Sequence, residues 1–238
     1  MKRITAVLFD LDGTLIRMDQ DKFIELYFVS LLEKMGSLGH DVATMKNALE
    51  SAVVATLNNN GEMTNEERFW QAFDIASGGL AVSVRAEIDS YYKNGFNSVI
   101  EASCSKYART REVLELVRKK GLRPILATNP LFPIVATNAR IRLGGMTPDD
   151  FEYITAYENS SYCKPNPMYF AELISKLGIA PEECVMIGND TRDDFSAHAL
   201  GIPVFVLTEC LINTRKVDLS QYPHGDFDEL INYLNSLN

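Results

Sequence analysis

No stretch of this sequence approaches the roughly 18 apolar residues that a membrane helix requires, so no spanning segment is expected. The N-terminus, Met1-Lys2-Arg3-Ile4, leads into an apolar run without a small-residue cleavage site, and no signal peptide is expected. Basic charge is scarce: 23 Lys and Arg stand against 32 Asp and Glu, a net charge of -9. Such an excess repels nucleic acid and anionic membrane, so neither is an expected partner. An anion could bind only at a local site with its own cations or a metal. The four cysteines, Cys104, Cys163, Cys184 and Cys210, include no CxxC pair and are spread too widely to suggest a disulfide framework. A reduced, cytoplasmic setting is the expectation. His40, His198 and His224 lack metal-ligand spacing and read as structural. Internal repeats and low-complexity tracts are also missing.

What is present is an ordinary globular balance. Hydrophobic residues make up 46% of 238 positions, enough for the core of one or two domains. Two textures alternate along the chain. From about Asp19 to Lys106 apolar residues recur at helical spacing, as in Phe23, Tyr27, Leu31 and Met35, then Met45, Leu49 and Val53. Asn58-Asn59-Asn60-Gly61 breaks the pattern, and Thr64-Asn65-Glu66-Glu67 reads as a capping box opening a third helix. Gly78-Gly79 ends it, a fourth helix stops near Gly95, and a fifth is expected from Phe96 towards Tyr107.

Elsewhere short apolar runs alternate with amphipathic helices. The runs are Ile4–Phe9, Pro124–Thr128, Tyr153–Ala156, Cys184–Ile187 and Pro203–Leu207. The helices are expected at Arg111–Lys120, Phe132–Leu143, Pro167–Leu177, Asp194–Leu200 and Phe227–Leu237, with Gly121, Gly178 and Gly201 placed to cap three of them. This alternation predicts an α/β fold: a Rossmann-like, doubly wound parallel sheet covered on both faces. The helical block follows the first strand and is expected to form an inserted all-helical domain over 18–106, leaving 1–17 plus 107–238 as the core.

Ligands of open α/β sheets bind beyond the carboxyl ends of the strands. Polar residues gather at those ends. The first run closes in Asp10-Leu11-Asp12-Gly13-Thr14, the second in Thr128-Asn129, and the fourth in Gly188-Asn189-Asp190, with Asp193 and Asp194 beyond. Lys164 stands in Cys163-Lys164-Pro165-Asn166-Pro167, before the helix leading to the fourth run. Each feature alone has a structural explanation: a turn, a loop, a solvated lysine, acids in a helix's first turn. Their coincidence in order along one sheet edge points to a site.

The four segments resemble the motif set of the haloacid dehalogenase superfamily, in the phosphohydrolase branch with a helical cap inserted after strand one. They are DLDGTL at Asp10–Leu15, ATN at Ala127–Asn129, KPNP at Lys164–Pro167 and GNDTRDD at Gly188–Asp194. The resemblance implies a Mg²⁺-dependent phosphatase of a small phosphorylated metabolite, monomeric or homodimeric. Asp10 would be nucleophile and metal ligand, forming an aspartyl-phosphate. Asp12 would act as general acid and base and lend its backbone carbonyl to the metal. Asp190 would be the further metal carboxylate, and Asp194 would support it, with Asp193 able to exchange that role. Lys164 would offset the charge of phosphate and Asp10. Thr128 would donate to a phosphoryl oxygen, and Asn129 could steady Asp10 or the substrate. Amides around Leu11–Gly13 can form an anion nest.

Asp12 discriminates within the superfamily, because the dehalogenases lack an acid there: halide leaves without a proton. A sugar phosphomutase and a catalytically idle binding protein are the alternative readings. The chain departs from many relatives in Ile16-Arg17-Met18 after the first motif, and in Gly-Asn-Asp where Gly-Asp is commoner. Phe69, Trp70, Tyr91 and Tyr92 read as packing of the helical block, with pocket lining as the alternative. Arg17 reads as a solvated hinge residue. Cys163 adjoins Lys164, but no neighbour marks it as redox-active.

Overall fold

The computed structural model describes residues 3–237, so Met1, Lys2 and Asn238 lie outside it. Six strands form one parallel sheet: β1 (Ala6–Phe9), β4 (Arg123–Leu126), β5 (Tyr153–Ile154), β6 (Cys184–Gly188), β7 (Val204–Leu207) and β8 (His224–Gly225). Their spatial order is β5-β4-β1-β6-β7-β8, and every neighbouring pair is parallel.

The sequence explains the sheet's interior. All four residues of β1 are buried, and successive side chains face opposite sides of a strand. Val7 and Phe9 accordingly join one apolar cluster, while Ala6 and Leu8 join a second. A strand covered on both faces must be apolar throughout. Burying Leu8 or Phe9 contributes about 1.5–3 kcal/mol each. Helices α6 (Thr110–Lys119) and α9 (Phe227–Ser236) feed Val113, Val117, Leu230 and Leu234 into the first cluster. Helix α8 (Met168–Leu177) sends Tyr169, Phe170, Leu173 and Ile174 into the second. Gly121, Gly178 and Gly201 follow their helices with left-handed φ values of 70°, 63° and 78°.

Between β2 (Ile16–Met18) and β3 (Cys104–Lys106) stand five helices: α1 (Gln20–Ser37), α2 (Val42–Leu57), α3 (Asn65–Ser77), α4 (Ala81–Asn94) and α5 (Phe96–Ser103). Asp19 and Asp41 cap α1 and α2, and Thr64 with Glu67 forms the expected capping box on α3. The insertion is tied to the core by a ribbon that the helical expectation omits: β2 and β3 pair antiparallel. The fifth helix therefore ends at Ser103 rather than running towards Tyr107. The insertion is also docked on the core. The Asn65 and Glu66 amides donate to the Ser160 and Tyr157 carbonyls at 2.7 and 2.8 Å. Phe23 and Tyr27 set their rings edge-on to Phe132 at 5.7 and 5.3 Å.

Two further differences concern short elements. The helix expected at Asp194–Leu200 is there as a 3₁₀ helix, and β8, two residues long, carries no periodicity to announce it. No helix among the described residues is long and apolar enough to cross a membrane.

Candidate active site

The chain runs from β1 to β4 and β5 on one side, then to β6, β7 and β8 on the other, so the strand order reverses beside β1. That reversal opens a crevice beyond the strands' carboxyl ends. Asp10 and Asp12 follow β1, Thr128 and Asn129 follow β4, and Asn189 and Asp190 follow β6. All six line one cavity of about 290 Å³, together with Lys164, Asp193 and Asp194. The structure thus brings together every predicted site residue.

Lys164 is the hub. The residue is 2% exposed, and its ammonium donates to Asp10 Oδ1 at 3.1 Å and Asp194 Oδ1 at 2.7 Å. Burial disfavours its charge, but Asp10 and Asp194 outweigh that and hold it above the usual lysine range. Burial pushes the Asp10 carboxyl up to about 7 against the pull of Lys164, and Asp194 and Asp12 add to the rise. Asp12 is likewise raised by burial, with Arg140 pulling the other way.

The loop holding the two acids is wound tightly. The Leu11 carbonyl accepts the Thr14, Leu15 and Ile16 amides at 2.9–3.2 Å. Gly13 has φ +87°, and a Cβ there would lie 2.3 Å from Asn189 Nδ2, so glycine is required on two counts. Its amide donates to the Ile16 carbonyl at 2.8 Å, which removes one donor from the anion nest expected over Leu11–Gly13. The Thr14 hydroxyl bridges Asp10 Oδ2 at 3.4 Å and Asn189 Oδ1 at 2.9 Å.

The fourth motif divides its acids. Buried Asp194 holds Lys164 and accepts the Asp190 amide at 3.0 Å. Asp193 instead accepts Asn129 Nδ2 at 3.2 Å, and burial followed by the nearby Asp190 pushes it up to about 6. Asp190 Oδ1 accepts the Arg192 and Asp193 amides at 2.7 and 3.2 Å. Asn129 braces the lysine loop as well: its amide meets the Lys164 carbonyl at 3.3 Å and its Oδ1 the Lys164 amide at 3.2 Å. Its bonds go to that loop and to Asp193 rather than to Asp10. The Thr128 carbonyl is fixed by the Thr155 and Tyr169 hydroxyls at 2.7 and 3.0 Å. Among the described residues no three His, Cys, Asp or Glu side chains are grouped to hold a metal by themselves.

One residue of the site escapes the motifs. Arg140, on α7 (Ile134–Leu143), is 2% exposed and donates to Asp12 Oδ2. It also bonds Thr137 Oγ1 at 3.3 Å and lies 4.9 Å from the Phe132 ring centroid. Its signal was positional: with Ala136, Thr137 and Ile141 it occupies the buried face of α7, where an arginine needs a partner. Asp12 Oδ1, by contrast, is buried without a partner among the described residues.

Among the aromatics, Phe69, Trp70 and Tyr92 line the cavity, while Tyr91 packs beside them in the apolar cluster. Pocket lining, the alternative reading, holds for three of the four. Arg17 lies 5.3 Å from the Tyr107 ring centroid on the ribbon. His40 meets Glu87 at 2.5 Å, a tie between the α1–α2 loop and α4. Cys163 is buried, contacts Asn65 and the Thr56 carbonyl, and burial pushes its thiol up to about 12. All four cysteines are free.

A parallel α/β sheet with acids at its reversal point and a helical block between β2 and β3 thus frames one cavity. The family model of the haloacid dehalogenase-like hydrolases matches residues 4–208, and the chain belongs to that family, in its phosphatase branch. It is 27% identical over 207 residues to a phosphoglycolate phosphatase of Yersinia pseudotuberculosis, covering 87% of this chain and 82% of that one. It is 28% identical over 201 residues to hexitol phosphatase B of Escherichia coli, covering 83% and 81%. A phosphatase of the same superfamily from Thermococcus onnurineus shares the fold, with TM-score 0.59 and 20% identity over 97% of this chain and 98% of that one.

Proposed function

We propose that the protein hydrolyses a monophosphate ester through a covalent phosphoryl-enzyme on Asp10, with Asp12 moving the proton. The observation that carries this reading is the Asp10–Lys164–Asp194 chain beside Asp12 at one cavity. Asp10 attacks phosphorus and the bond to the ester oxygen breaks; Asp12 supplies that oxygen's proton. Asp12 then takes a proton from water, which attacks the acyl phosphate and returns Asp10. The unpartnered Asp12 Oδ1 is the atom suited to that traffic. Lys164 neutralises charge beside Asp10, and Thr128, which lines the cavity, would donate its hydroxyl to the phosphoryl group. Asn129 and Asp193 hold the lysine loop.

The donor set suits Mg²⁺. Five aspartates line the cavity against two cations, Lys164 and Arg140, an excess that a phosphate dianion would worsen. Mg²⁺ favours oxygen ligands and commonly uses only one or two carboxylates, with water and substrate oxygens completing its shell. Asp10, Asp190 and the Asp12 backbone carbonyl would hold it, and Asp194 would orient Lys164. Bound there, the ion would offset charge on the phosphoryl oxygens. Residues 18–106 would then act as a cap over a core of 1–17 plus 107–238, excluding bulk water. The four free thiols support a reduced, cytoplasmic setting.

The test is phosphate release from a panel of monophosphates with Mg²⁺ or EDTA. Release that needs Mg²⁺ and is lost in Asp10→Asn is expected. Release undiminished by that substitution would overturn the reading. Interconversion of sugar-phosphate isomers without free phosphate would favour a mutase.

A further inference from the structure

The cavity has two unlike halves. All its charged residues come from the core: the five aspartates, Lys164 and Arg140. Helices α1–α4 contribute ten lining residues, Gln20 and nine others, and none is charged. The others include Phe23, Tyr27, Val53, Trp70, Ile88 and Tyr92. The Tyr27 and Tyr92 hydroxyls bond one another at 2.6 Å, which uses one of their two O–H donors. Gln20 and the Trp70 indole N–H, which has no partner among the described residues, are the other polar groups on that wall. The core adds Leu131, Phe132 and Pro133 to the same apolar side.

This wall carries no cation to pair a carboxylate, and it offers a polyol only Gln20, the Trp70 N–H and one tyrosine O–H. A substrate hydroxyl buried against the rest of it loses water without gaining a hydrogen bond. An apolar group gains there by leaving water. The cavity, about 290 Å³, sits at the small end of the roughly 300–1,000 Å³ usual for small-molecule sites.

We propose that the leaving group is an uncharged apolar alcohol of about one ring, so that the substrate class is its monophosphate ester. This inference rests on the phosphatase reading above. It also separates the chain from the relatives named for phosphoglycolate and hexitols, whose alcohols are charged or polyhydroxylated. The reaction is ester plus water giving the apolar alcohol and inorganic phosphate.

The experiment uses the full chain with Mg²⁺ and four esters: benzyl and 3-methylbutyl phosphate against phosphoglycolate and a hexitol phosphate. Preference in kcat/KM for the apolar pair by roughly 10²-fold is expected; an equal or inverted ratio would overturn the proposal. Ile24 lines the cavity and is 46% exposed, so Ile24→Lys is tolerable to the fold. It should move the ratio at least ~10-fold towards phosphoglycolate by pairing its carboxylate, and an unmoved ratio counts against the placement. If wild type hydrolyses no ester beyond Asp10→Asn, the phosphatase reading fails, and binding still decides the pocket's chemistry. Trp70 is the chain's single tryptophan and lines the cavity, so its fluorescence reads occupancy without turnover. Saturable change with benzyl phosphate but not with phosphoglycolate supports the apolar wall; the reverse sinks it.

Discussion

The Arg140 guanidinium, buried on α7, donates to Asp12 Oδ2 across 128 residues of sequence. A buried cation stabilises the ionised form of its neighbour, so Arg140 counters the rise that burial imposes on Asp12. It also fixes which Asp12 oxygen is engaged, leaving Oδ1 for the reaction. In Arg140→Met the carboxyl keeps its burial and loses its cation, so its pKa moves further up. The basic limb of the kcat/KM profile should shift to higher pH, and kcat should fall by about 10²-fold as Asp12 loses its orientation. A variant with wild-type limbs and kcat would show that the pair has no catalytic role. Arg140→Lys should restore part of the limb position but less of kcat, because a lysine cannot reproduce the planar fork.

Lys164 holds two carboxylates that would otherwise face each other in a buried site. Lys164→Met should abolish phosphate release and destabilise the protein by about 3–5 kcal/mol at pH 8, the scale of stranding a buried charge. The stability loss should shrink as pH falls through about 7 and Asp10, pushed up by burial, takes up a proton. Denaturant unfolding of both proteins at pH 8 and pH 5 measures this. A pH-independent loss would mean that packing against Tyr169 and Phe170, rather than charge, is what the lysine supplies.

Much of this site was legible because its parts sit at strand ends, where an apolar run stopping in Asp, Thr-Asn or Asn-Asp is visible in one dimension. The parts that were not legible depend on partners far away in sequence. Arg140 interrupts an apolar helix face, and only the fold shows that Asp12 receives it. The ribbon of Ile16–Met18 with Cys104–Lys106 and the strand His224–Gly225 are too short for periodicity. They are strands because a neighbour offers its backbone. Phe69, Trp70 and Tyr92 are both packing and pocket wall, a distinction that helical spacing does not make.

Gly188 closes β6 against Asp194, and a Cβ there would lie 2.0 Å from Asp194 Oδ2. That oxygen accepts the Asp190 amide, and its partner oxygen holds Lys164. Gly188→Ala must therefore displace the carboxylate that positions the lysine. The expected stability cost is about 1–3 kcal/mol, typical of overpacking, with activity lost more completely than stability. Comparing the melting temperature and kcat of this variant with those of wild type tests it. Unchanged kcat would show that Asp194 can move without disturbing Lys164.

Asp150 offers a pH dependence away from the site. It is buried, accepts the Thr147 amide at 2.7 Å, and pairs with Arg111 and Arg118 at 2.9 and 2.7 Å. Burial works against its charge, but these hydrogen bonds and cations outweigh it and hold the carboxyl below 3.8. A carboxyl that ionises more easily folded than unfolded stabilises the protein above the unfolded pKa. That contribution is lost as pH falls through the folded one. Asp150→Asn removes the charge and can keep its one oxygen on the Thr147 amide, leaving an NH₂ in place of the oxygen that accepts from Arg111 and Arg118. Both guanidiniums are about 40% exposed, so solvent screens the pairs and the expected loss is about 1–2 kcal/mol. The gap between wild type and variant should be constant above about pH 5 and close as pH falls below 3.8. Urea unfolding from pH 3 to pH 8 reads the gap directly. A gap that persists at pH 3 would assign the contribution to the shape of the Thr147–Asp150 turn rather than to its charge.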